Sequence, residues 1–180
     1  MTSMRSSTVA FYTPQPDLLR WGMVYKRLYA RKPDFSGLYI PTKPEGVGPV
    51  RLIVVARELL DWTGNRPLKG AHERDPKSGS YVVWVKDVRE ADEEYANKSA
   101  IDLEIENHIG ITELEYALLR GDYFFEKGEH LDQENATLCL GSRRYSGSVP
   151  FAYWYRGKSY IHECSPSFHL PQLRSRRVWA

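Results

Sequence analysis

The side chains best suited by type to do chemistry lie in the last third of the chain. His130 and Asp132 are separated by one residue, and Cys139 follows shortly after. An imidazole, a carboxylate and a thiol are the parts of a base-activated nucleophile, as a small hydrolase would need. They work only if the fold brings base and thiol within hydrogen-bond reach and adds a group that orients the base, which spacing alone does not supply. Further on, His162 and Cys164, with His169 five residues beyond Cys164, are ligand types that zinc takes in a tetrahedral shell. No C-x-x-C knuckle accompanies them, and a strand would turn only His162 and Cys164 to one face. The plainer reading is a buried thiol with partly exposed imidazoles. The sequence requires no cofactor; zinc is the one these side chains could take.

A second kind of chemistry is the capture of anions. Gly141-Ser142-Arg143-Arg144-Tyr145-Ser146-Gly147-Ser148 combines glycines, hydroxyls and two guanidinium groups. Backbone N–H groups in such a loop can form an anion nest, and arginine grips phosphate with two parallel hydrogen bonds. It lacks the Gly-Lys-Ser/Thr ending of a Walker loop, and glycine and serine also simply connect strands. Tyr153, Trp154, Tyr155, Arg156, Lys158 and Tyr160 interleave aromatic and basic side chains, and Arg174, Arg176 and Arg177 follow in the tail. Cations that track a backbone and rings on which bases stack are what a nucleic-acid surface needs. The competing reading is core aromatics and cross-strand pairs. Two other motifs have structural readings that suffice. Asp75-Pro76 followed by Gly79 is turn chemistry, and Asp92-Glu93-Glu94 lacks the alternating ligands of a calcium loop and reads as a solvated face.

These groups need elements to hold them. Thr112-Glu113-Leu114-Glu115 has the spacing of a capping box. Ile111 and Tyr116 are placed as a hydrophobic staple, and Gly128 is the natural stop, so the spacing predicts a helix from Thr112 to Gly128. Gly121 inside it either weakens the helix or lets another element come close. A second helix is expected over Asp17–Ala30, with Leu18, Leu19, Met23, Tyr25, Leu28 and Tyr29 as its apolar face. A third lies within Asp87–Glu106, capped near Ser99, although Ile101, Leu103 and Ile105 also alternate as in a strand. Strands are expected at Gly37–Ile40, Arg51–Val55, Ser80–Val85, Thr137–Leu140, Val149–Tyr155 and Ser159–Glu163, the last two joined as a hairpin through Arg156-Gly157-Lys158. The fold class is α+β: a mainly antiparallel sheet of five to six short strands carrying two to three packed helices.

With 180 residues, of which 42% are hydrophobic and 27% charged, the composition is that of one ordinary domain. A chain of this size buries roughly 70% of its unfolded surface. The expectation is a single domain over 1–180 with flexible ends at 1–16 and 174–180. Apolar runs are too short to span a bilayer, which predicts no membrane association, and the N-terminal residues have no apolar signal region, which predicts a cytoplasmic protein. Cys139 and Cys164 are then expected as reduced thiols.

The net charge of +2 conceals an uneven distribution: +4 over residues 1–50, +2 over 51–85, −10 over 86–134 and +6 over 135–180. Either the acidic middle neutralises the basic end inside the fold, or the basic end stays free for an anionic partner.

Arg74–Asp87 (RDPKSGSYVVWVKD), Glu126–Asp132 (EKGEHLD), Thr137–Arg143 (TLCLGSR) and Leu173–Val178 (LRSRRV) together resemble a group of small uncharacterised bacterial proteins. The resemblance implies no activity, cofactor or site. From the residues, the leading expectation is a non-enzymatic binding protein. Arg143, Arg144, Arg156, Lys158, Arg174, Arg176 and Arg177 would meet an anionic macromolecule, either nucleic acid or an acidic protein surface. The alternative is a small hydrolase or metal-dependent enzyme centred on His130, Asp132, Cys139 and His162.

Overall fold

The computed structural model describes residues 16–29, 33–35, 37–59 and 70–180. The capped helix forms as its spacing requires. It runs over Glu113–Lys127, with the Thr112 hydroxyl accepting from the Glu115 N–H and the Glu115 carboxylate accepting from the Thr112 N–H. Gly128 closes it in the left-handed conformation at φ 71°. Ile111 and Tyr116 are both buried beside it. Among the described residues this helix, α3, is preceded by α1 (Pro16–Tyr29) and by the short α2 (Ala100–Ile105), which has its own capping box at Ser99.

The apolar stripe of α1 differs from expectation. Leu18, Trp21, Val24 and Tyr25 are buried, whereas Met23 is exposed. Trp21 donates its indole N–H to the Leu52 carbonyl, and the Tyr25 hydroxyl donates to the Val54 carbonyl while accepting from the Ala56 N–H. Two rings that each bury a polar tip thus dock the helix on a strand. The segment Asp87–Glu106 is only partly α-helical. A 3₁₀ turn at Glu93–Tyr95 precedes α2, which buries Ala100 and Leu103 and leaves Ile101 and Ile105 exposed.

Nine strands are present among the described residues, more than the five or six expected. They are β1 (Val50–Val55), β2 (Ala71–His72), β3 (Tyr81–Lys86), β4 (Ala136–Leu138), β5 (Ser142–Arg143), β6 (Val149–Tyr155), β7 (Lys158–Cys164), β8 (Leu173–Ser175) and β9 (Val178–Trp179). They form a three-stranded sheet β1-β3-β9, a two-stranded pair β2-β5 and a four-stranded sheet β7-β6-β4-β8, in which only the β4–β8 pairing is parallel. The strand expected at Gly37–Ile40 does not join a ladder; Leu38 and Ile40 instead lie against the main core as irregular chain. The Asp75–Gly79 turn forms as expected, with the Asp75 carboxylate accepting from the Lys77 N–H.

The tail corrects a second expectation. Residues 174–180 were expected to be a flexible end, but Leu173–Ser175 adds to one sheet and Val178–Trp179 to another, so the C-terminal strands link the two. Residues 1–15 lie outside those described, and Pro16 begins α1. Among the described residues no helix is long and apolar enough to cross a membrane.

The larger core sits between α1, α3 and the β1-β3-β9 sheet and includes Ile53, Val83, Leu119 and Cys139. A smaller one lies between α2 and the four-stranded sheet and includes Leu103, Leu138 and Val149.

Candidate nucleic-acid interface

The hairpin β6–β7 is the longest ladder of the four-stranded sheet, pairing Val149 with Cys164 through to Tyr155 with Lys158. Its turn is two residues long, not three, and both residues have positive φ: Arg156 at 47° and Gly157 at 79°. A turn of this hand matches the twist of the strands, and asparagine followed by glycine is the usual occupant. Arginine at the first position is an uncommon choice for a left-handed backbone. Its guanidinium lies over the Tyr155 ring, 5.1 Å from the centroid.

Alternation along the strands gives the hairpin rings on both sides. On one face Tyr153 and Tyr160 are a directly opposed pair, stacked at 5.4 Å and 17°. Phe151 stacks on Tyr153 at 6.0 Å, and the exposed His162 meets these rings edge-on at 5.7–6.0 Å. On the opposite face Trp154 lies flat against His130, centroids 3.4 Å apart, and the exposed Phe124 of α3 covers the other side of the imidazole at 4.5 Å.

This three-ring stack is assembled by the backbone. The Gly128 cap ends α3 and turns the chain so that His130 reaches β6, and the Trp154 N–H donates to the Asp132 carbonyl at 2.9 Å, fixing the loop to the strand. Between α3 and the hairpin tip the stack borders a cleft lined also by Arg120, Gly121 and Lys158. A Cβ at Gly121 would meet nothing within 4 Å, so the glycine leaves the cleft open instead of admitting another element.

The seven expected anion-binding residues are not brought together. Arg176 is buried, donating to the Asp132 carboxylate at 2.7 Å, to the Thr137 hydroxyl and to the Val88 and Arg89 carbonyls. Arg144 grips Glu113 and also faces Glu163, and Arg143 pairs with Glu104. The loop Gly141–Ser148 is therefore braced by acidic side chains. Its Gly141 is a packing position, where a Cβ would stand 2.9 Å from the Gly110 carbonyl. Arg174 is half-buried and reaches the Ala91 carbonyl. Arg177 is exposed in a separate cleft with Lys86, Tyr95 and Trp179. Among the described residues, the side chains of Arg156, Lys158 and Arg177 are exposed without a carboxylate partner; the first two lie at the hairpin tip, and the half-buried Arg120 of α3 lines the cleft beside it. Arg120 was missed because it lies on a helix face; its i+4 relation to Phe124 was the available signal.

The residues of the enzyme alternative are dispersed as well. Asp132 is fully buried in its pair with Arg176, and burial raises its carboxyl against the pull of that arginine. Cys139 is fully buried, which pushes its thiol well above the ordinary value. A thiol held in that form is a poor nucleophile. His130 is occupied in the ring stack. His162 lies on the sheet face of Phe151 and Leu138, opposite to Cys139. Cys164 is half-buried with its thiol raised by burial, His169 is exposed in the following loop, and among the described residues no three such side chains group as metal ligands. Both cysteines are free thiols.

No protein family, curated protein or solved structure matches this chain.

Proposed function

We propose that this is a non-enzymatic binding protein whose partner is a nucleic acid, held at the tip of the β6–β7 hairpin and in the cleft beside it. The observation that carries this reading is the coincidence of unpaired cations with incompletely covered rings. Arg120 and Lys158 line the cleft of Trp154, His130 and Phe124, and Arg156 stands on the adjoining turn over Tyr155, while most other cations of the basic final quarter face carboxylates or carbonyls. Rings accept the π-faces of bases and cations accept phosphates, so the combination fits nucleic acid better than an acidic protein, which would use the cations but leave the rings without a role. Arg156 strengthens the reading, since a residue held in a disfavoured backbone region where asparagine would be relaxed points to a use for its side chain.

Counterion release provides the test. With about three phosphate contacts, the logarithm of the association constant should fall against the logarithm of salt with a slope of about −2. The measurement is fluorescence anisotropy of a labelled oligonucleotide over a salt series. Absence of binding at low salt, or binding indifferent to salt, would remove the reading. Equal displacement by polyglutamate would instead identify an acidic protein surface as the partner.

A further inference from the structure

Rings on both faces of one hairpin point to a more specific ligand than nucleic acid in general. We infer that the hairpin is straddled by a single strand, with bases stacked on the Tyr153–Tyr160 face and, on the opposite face, against the Trp154 and Phe124 rings that enclose His130, and the intervening phosphates held at the tip; this rests on the nucleic-acid reading above. Tyr153 and Trp154 are consecutive residues whose rings lie on opposite sides of the ribbon. Beyond Tyr155 the ribbon ends in the two residues Arg156 and Gly157, so the shortest way from one ring group to the other passes over the turn. That path carries cations, Arg156 on the turn and Lys158 directly after it, and Arg120 lines the cleft on the Trp154 side.

A duplex fits this arrangement badly. Its base faces are already stacked inside the helix, and its persistence length of about 150 base pairs forbids a fold around a two-residue turn. A single strand has free base faces and a flexible backbone, and stacking on aromatic side chains tolerates any sequence because every base has a π-face. Among the described residues, nothing covers either ring group completely. Tyr153, Tyr160 and Trp154 are half-buried, and His162 and Phe124 are exposed. The tip offers few cations, so the greater part of the affinity must come from stacking, which a duplex cannot supply.

The experiment compares a labelled single-stranded oligonucleotide of about 15 nucleotides, within the usual footprint of single-strand binders, with its duplex. Tryptophan fluorescence of the wild-type chain gives a second readout. Single-strand binding should be at least about ten-fold tighter than duplex binding and should quench Trp154. Tyr153→Ala and Trp154→Ala, on opposite faces, should each weaken it by about ten-fold. Tyr153→Leu and Trp154→Leu retain apolar cover, so a loss of binding in variants with unchanged circular dichroism and melting temperature is not a folding defect. Equal affinity for duplex, or sensitivity to rings on one face only, would overturn the straddled arrangement and leave the nucleic-acid reading standing. Absence of binding to either form at low salt would overturn both.

Discussion

Arg176 and Arg156 belong to the same basic final quarter of the chain and have opposite fates. Arg176 is 1% exposed and reaches Asp132, Thr137 and two backbone carbonyls, joining the tail, β4 and the chain that follows β3. Arg156 is exposed on a turn, with its guanidinium over the Tyr155 ring. The difference shows how a −10 segment and a +6 segment share one fold. Glu104, Glu113 and Asp132 of the acidic middle take up Arg143, Arg144 and Arg176, so a large part of the apparent basic field is neutralised within the fold. Arg156, Lys158 and Arg177 stay exposed. The same pattern holds elsewhere: Arg51 and Arg20 converge on Asp122 and Glu126 to tie α1, β1 and α3, and Arg74 grips the capping Glu115 with two nitrogens.

If the buried pair is structural and the tip is not, substitutions should separate them. The largest effect is expected from Arg176→Met, which leaves the fully buried Asp132 without its counter-charge; breaking such a pair costs about 3–5 kcal/mol. Denaturant unfolding measures it. Adding Asp132→Leu should restore part of the loss, because an apolar pair carries no stranded charge. A loss below about 1 kcal/mol for the single variant would mean that the pair is not what anchors the tail.

Acidification should act on the same side of the comparison. Burial, with Arg177 nearby, lowers the His108 imidazole from 6.5 to about 4, and its Nε2 meets the Ser175 hydroxyl of β8 at 2.9 Å. Between these two values the unfolded chain takes up a proton that the folded chain refuses. The associated stability is therefore complete above pH 6.5 and lost as the pH falls towards 4, by up to about 3 kcal/mol. Unfolding curves over this range should flatten in His108→Gln, which cannot titrate. An unchanged pH profile would exclude His108 as the source.

At the tip, effects should appear in binding and hardly in stability. Replacing the Trp154 ring with leucine should weaken nucleic-acid binding by about 1–3 kcal/mol. The smallest changes sharpen the contrast most. Arg156→Asn suits the left-handed turn, and Gly121→Ala adds a methyl group to a helix where there is open space. Each should raise the melting temperature slightly, by up to about 1 kcal/mol of stability, while weakening binding: the first by removing a cation, the second by narrowing the cleft. Tighter binding in either variant would place the interface elsewhere.

How far the sequence was legible follows from the range of the interactions involved. The α3 capping box, its Gly128 stop and the β6–β7 hairpin are set by residues within a few positions of one another, so their residue types sufficed. On α1 the helix was legible but its buried face only in part: Leu18 and Tyr25 lie inside as their spacing predicts. Met23 falls on the expected stripe yet is exposed, and Trp21 falls off it yet is buried, because the direction of burial depends on β1, which follows far along the chain. The ring-bearing hairpin was visible as a motif. Its completion by His130, Phe124 and Arg120 was not, since these come from a helix and a loop that only the fold lays against β6.

By itself, the sequence determined the α+β class, the capped helix, the hairpin and the uneven charge, because each rests on local spacing or on composition. Only the tertiary structure decided which cations are neutralised and which rings remain open. Ion pairs such as Arg176 with Asp132 and contacts such as Trp154 with His130 join positions far apart in the chain, and their partners are chosen by packing. The tail shows this most directly. Seven residues that local composition marks as a loose basic end become two strands and a buried guanidinium once β3, β4 and Asp132 surround them.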